Sequence, residues 1–155
     1  MRINEIKISE HFMLYEFEDR ADGNVVVLHP MQVIRLEELH LACSESLGRE
    51  VAVYITCGTR TQASNRKLAG LLGWTDQGGL VSRTSKHLPK FGGIASDLHV
   101  VDKEFGQLMP TLKVADLARP LFDVVIDHYP THIHVDLRNS SKPYSPDAET
   151  SETTP

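Results

Sequence analysis

The sequence predicts an α+β domain: a small, mostly antiparallel sheet with helices packed on one side. Three observations predict it. Hydrophobic spacing gives the element order helix, strand, helix, strand, helix, strand, strand. The last two strands follow each other across a Tyr129-Pro130 turn, which suits antiparallel pairing. The chain has 155 residues, 41% hydrophobic and 24% charged, enough for one domain with its own core.

The elements read as follows. Residues 11–20 form a short helical turn anchored by Phe12, Leu14, Tyr15 and Phe17. Val25 to Leu28 is a short edge strand after the Asp22-Gly23-Asn24 turn. His29-Pro30 opens a helix, because proline suits a first helical position. Leu36, Leu39, Cys43 and Leu47 mark its buried face, and Gly48 ends it. Val51–Cys57 is a strand whose apolar positions alternate at 51, 53, 55 and 57. After the Gly58-Thr59-Arg60-Thr61 loop, a helix runs from about Gln62 to Leu72 with Leu68, Leu71 and Leu72. Gly93 to Val101 is a central strand. Thr111 to about Leu121 is a helix offering Leu112, Ala115 and Leu117 to the core. Phe122–Ile126 and Thr131–Leu137 are the final strands. The domain is expected over residues 1–138. The polar, acidic composition of 139–155 predicts a disordered tail.

Bulk properties exclude several classes. The net charge of −5 and the lack of a basic cluster speak against nucleic-acid binding. Cys43 and Cys57 have no CxxC spacing and read as buried small hydrophobes. The N-terminus has charges throughout and no apolar run, so it is not a signal peptide, and no segment is long enough to span a membrane. The expectation is a monomeric product made in the cytoplasm.

The chemistry concentrates in two stretches. Five of the eight histidines fall between residues 87 and 134. His87 lies in a Pro- and Gly-rich loop. Asp97 sits inside an apolar strand, where a carboxylate is costly unless paired or bound to a metal. An arginine such as Arg60 could also be its partner. His132 and His134 share one face of the last strand. His87, Asp97 and His134 can supply three ligands to zinc and leave a position for water. A non-haem iron site uses the same ligand types, but no cosubstrate-binding signal accompanies it. Arg60, on a loop directly after a strand, suits a substrate carboxylate or a developing oxyanion. His132, Asp127 and His128 are the candidate bases, and the sequence leaves the three open. His99 shares the strand face of Asp97.

The segments Thr56-Cys57-Gly58-Thr59-Arg60-Thr61, Ser85-Lys86-His87, Gly93-Ile94-Ala95-Ser96-Asp97 and His132-Ile133-His134-Val135-Asp136 occur in an order that resembles the zinc D-alanyl-D-alanine carboxypeptidases. That family belongs to the hedgehog/D,D-peptidase superfamily and includes phage endolysins and other murein peptidases. The lead-in His11-Phe12-Met13-Leu14-Tyr15-Glu16-Phe17 is similar too, so the resemblance covers most of residues 8–138. It implies a hedgehog/D,D-peptidase-like fold and zinc held by His87, Asp97 and His134. It also implies that Arg60 engages substrate beside Ser85. The implied activity is hydrolysis at a D-residue of the peptidoglycan stem peptide, by a carboxypeptidase or endopeptidase, in a bacterial or phage lytic role. A non-hydrolytic, zinc-containing peptidoglycan-binding module is the alternative. The chain departs from the pattern in three places. The loop from His87 to Gly93 is three residues longer. Cys57 replaces a common serine. Asp127-His128 stands where a glutamate is frequent.

Overall fold

In the computed structural model, which describes residues 3–140, the strands are β1 (Val51–Cys57), β2 (Ala95–Asp102), β3 (Val124–Ile126) and β4 (Ile133–Asp136). They form one sheet in the order β1-β2-β4-β3 with every pairing antiparallel. The helices are α1 (Pro30–Leu47), α2 (Gln62–Leu72) and α3 (Thr111–Ala118). The fold is therefore α+β. The expected polar tail falls largely on residues 141–155, outside the described residues.

Local chemistry sets the helix ends. The His29 ring caps α1 by accepting from the Met31 N–H, Pro30 takes the first turn, and Gly48 closes it in the left-handed region. Thr61 caps α2 by accepting from Ser64 N–H. Buried Asp19 reinforces that end, accepting from the Thr61 N–H at 2.8 Å and the Ser64 hydroxyl at 2.9 Å. This joins the N-terminal 3-10 turn, Leu14–Phe17, to the start of α2.

Alternation along β2 and β4 divides the sheet into two unlike faces. Leu98 and Val100 of β2, with Ile133, Val135 and Leu137 at β4, join Leu36, Leu39, Val114 and Ala118 in one hydrophobic core. α1 and α3 cover this face and pack on each other. Asp97, His99 and His134 project from the other face. α2 stands apart from the helical layer; its buried residues are Asn65 and Ala69.

Three sequence expectations are corrected. Val25–Leu28 is not a strand. Val27 N–H donates to the Thr59 hydroxyl, which donates back to Val27 O, so one side chain replaces a strand ladder. Its continuation is fixed by His29 N–H on Gly93 O. Gly93 has φ +76, and a Cβ there would lie 2.4 Å from Leu28 Cα, so only glycine fits. Leu112 is 63% exposed, because α3 buries Val114, Ala115 and Ala118 on a different side. Leu71 and Leu72 also face outward. Finally, Cys57 does not alternate with Ile55, because a bulge intervenes.

Candidate metal centre

One register row crosses the open face of the sheet: Cys57 pairs with Asp97, Asp97 with His134, and His134 with Ile126. Cys57 belongs to this row only because the register slips between Ile55, which pairs with Leu98, and Cys57. Thr56 is the extra residue. A bulge of this kind shifts every following side chain to the other face.

His87 reaches the row from the long loop before β2. Arg60 N–H donates to His87 O at 2.9 Å. Leu88 is buried, a 3-10 turn at Pro89–Phe91 follows, and the chain turns back through Gly92 and Gly93. The loop between His87 and β2 thus carries local structure of its own. Gly58 supplies its anchor. A Cβ at Gly58 would lie 2.7 Å from Phe17 Cα, and Thr59 N–H donates to Phe17 O. That clamp aims Gly58 O at His87 Nδ1, 2.8 Å away.

Three potential ligand atoms converge. His87 Nε2 lies 3.1 Å from Asp97 Oδ1, His134 Nδ1 lies 2.9 Å from the same oxygen, and the two nitrogens are 3.2 Å apart. Ligands about 2.0–2.1 Å from a tetrahedral ion stand about 3.3 Å from one another, close to this triangle. The outward nitrogens are committed elsewhere. Gly58 O can only accept, so His87 Nδ1 carries hydrogen. His134 Nε2 donates to Asp136 Oδ2 at 2.8 Å, and Arg138 grips Asp136 from the other side. The inward atoms are then three lone-pair donors in contact, which need a proton or a metal ion between them. These carbonyl and carboxylate partners are the kind that orient metal-binding imidazoles.

Electrostatics agree. Burial opposes a charge on His87, but hydrogen bonds to Asp97 and Cys57 outweigh it and push the imidazole up to about 10. Burial likewise opposes charge on His134, and its Asp136 and Asp97 hydrogen bonds raise it. Burial would raise Asp97, yet His134 and His87 hold it well below the usual carboxylate range. The cluster is built to hold positive charge, and His87, Asp97 and His134 could hold a metal ion.

The triangle forms part of the wall of a cavity of about 490 Å³. Arg60, Ser85 and His132 also line it, facing an apolar wall of Leu68, Leu72 and Leu80. His132 stacks on Tyr129 at 4.5 Å, and its Nε2 is 3.9 Å from Asp97 Oδ2. Ser85 Oγ accepts from His87 N–H. Arg60 donates to Asn65 Oδ1 and Cys57 Sγ and has no carboxylate partner among the described residues. Asp127 and His128 are not brought to this wall. Asp127 is paired with Arg119 at 2.5 Å, and exposed His128 packs against Tyr129.

Three residues at the site carry roles the sequence reading did not assign. Asp136 lies two positions after His134 on a strand, so period-two alternation could have found it. Tyr129 carries only a turn signal in the sequence, next to Pro130. Cys57 offers a ligand atom that lies, with those of His87 and Asp97, in a group spanning no more than 4.8 Å. No sequence signal announces the bulge that puts it there. No protein-family model matches the chain, and no curated protein matches it. No helix among the described residues is long and apolar enough to cross a membrane.

Proposed function

We propose that the chain is a zinc-dependent peptidase acting at D-residues of peptidoglycan stem peptides, as a D,D-carboxypeptidase or endopeptidase. The observation that carries this reading is the triangle of His87, Asp97 and His134 on the wall of an open cavity. Two imidazoles and a carboxylate are a borderline donor set that zinc accepts. When bound, zinc would polarise a carbonyl and lower the pKa of water.

The chain's own groups supply the rest. Arg60, without a carboxylate partner among the described residues, is available to a substrate carboxylate or to charge developing on the carbonyl oxygen. Ser85 lines the same wall as a second polar contact. His132 is the favoured proton carrier, because it faces Asp97 while Asp127 is tied to Arg119. Tyr129 holds the His132 ring by stacking. Leu68, Leu72 and Leu80 add apolar surface to the cavity.

Incubation of the purified protein with murein should release new amine termini, and His134→Ala should abolish the release. His132→Ala should lower turnover about a hundredfold with the metal retained. Unchanged turnover would remove His132 from the role. Cys57 favours a second reading. Its thiol is a fourth potential donor, and a site closed by four protein ligands is structural rather than catalytic. Sedimentation with intact sacculi and no new termini would support that binding module.

A further inference from the structure

A second histidine and carboxylate cluster lies outside this cavity. Glu37 and His40 are one turn apart on α1, and His11 reaches them from the loop before the first 3-10 turn. One ligand atom from each lies in a group spanning no more than 4.8 Å. We infer that His11, Glu37 and His40 form a second site for a borderline divalent metal ion such as zinc.

The three side chains are prepared for it. His40 is 6% exposed, and its Nε2 lies 2.9 Å from Val51 O. A carbonyl only accepts, so Nε2 carries the hydrogen and Nδ1 keeps its lone pair. No described residue donates to that lone pair. Glu37 is fixed through one oxygen: Oε1 accepts from the Ser9 hydroxyl and from His11 N–H at 2.8 Å. Its Oε2 faces His11 Nδ1 at 2.6 Å. A metal ion would displace the proton that this pair shares. Such partners behind the ligands are what metal sites use to hold orientation. The cluster borders an open cavity of about 810 Å³ whose rim adds Glu10, Glu38, Glu45 and Glu50, the last paired with Lys103, and one cation, Arg49, which is paired with Asp102, so the surrounding is acidic on balance.

The His11 and His40 rings stack, with centroids 3.6 Å apart and planes 18° from parallel. Imidazoles bind metals in the ring plane, so a shared ion requires one ring to turn. Val51 pins His40. His11 is more exposed, and its ring is the one that moves. Binding would fasten the 9–11 segment to α1.

Metal-stripped full-length protein titrated with zinc alone, with ions counted by calorimetry, tests the site. The parent should bind two equivalents, His11→Ala one, Asp97→Ala one, and the combined variant none. Glu37→Gln should repeat the His11→Ala result without shortening a side chain. If His11→Ala and Glu37→Gln keep every equivalent the parent binds, the inference is overturned. One ion in the parent, lost with Asp97→Ala alone, overturns it and leaves the first centre standing. One ion lost with His11→Ala alone does the reverse.

Discussion

Two clusters in this molecule share one composition, two histidines and a carboxylate, and differ in everything that surrounds them. His87, Asp97 and His134 come from a loop and two neighbouring strands, and their inward atoms already sit at ligand spacing. His11, Glu37 and His40 come from one helix and a loop, and their rings stack face to face. In the first, both outward nitrogens are bound to fixed acceptors. In the second, only the His40 ring has its outward nitrogen on a backbone acceptor. Donor identity therefore makes a metal site conceivable, and the groups behind the donors decide how much rearrangement binding requires.

The largest effect should come from Asp97→Ala, which removes the shared anion between two imidazoles. Tight metal at the first centre should vanish in elemental analysis, with cleavage of murein. Asp136→Asn tests whether outer partners create the contrast. It leaves His134 in place but weakens its support, and metal affinity should fall about 10–100-fold. An unchanged affinity would mean that the strands alone hold His134. Gly58→Ala should disturb the other anchor. Its methyl group would press on Phe17 backbone, at a cost of roughly 1–3 kcal/mol, and shift the carbonyl that holds His87. Thermal unfolding and metal affinity should both decline.

The subtlest contrast is in pH, measured on metal-stripped protein. His87 holds its proton more tightly folded than unfolded. Its pairing thus stabilises the fold below the ordinary histidine value of about 6.5, and that stability is lost as pH rises through about 10. His40 is the reverse: burial, then the nearby His11, lower it. Its contribution is present above about 6.5 and is lost as pH falls. Urea unfolding across this range should show both declines. His87→Gln should flatten the alkaline one and His40→Gln the acidic one.

What the sequence made legible follows from periodicity. His132 and His134 share a face because strands alternate, and Asp97 stands out as a carboxylate among apolar neighbours. The helix ends were readable from Pro30, Gly48 and Thr61. Cys57 was not, because one inserted residue reverses the alternation on which the reading relied. Leu112 was misplaced because apolar character does not say which neighbours a helix will meet. Val25–Leu28 has strand composition but finds the Thr59 hydroxyl and the backbone of Asp19 and Asp22 as partners instead of a strand. His11 and His40 were missed as a pair because their proximity depends on how the N-terminal segment folds over α1.

The single extra residue at Thr56 also makes the first centre a matter of counting. Were the bulge straightened so that Thr56 took the place opposite Asp97, Cys57 would turn toward the core and Gly58 O would be redirected away from His87. No donor would be lost from the sequence, yet the loop that delivers His87 would have lost its anchor. The site is thus written partly in strand register, and a slip of one residue between Ile55 and Gly58 should disable it as effectively as replacing a ligand.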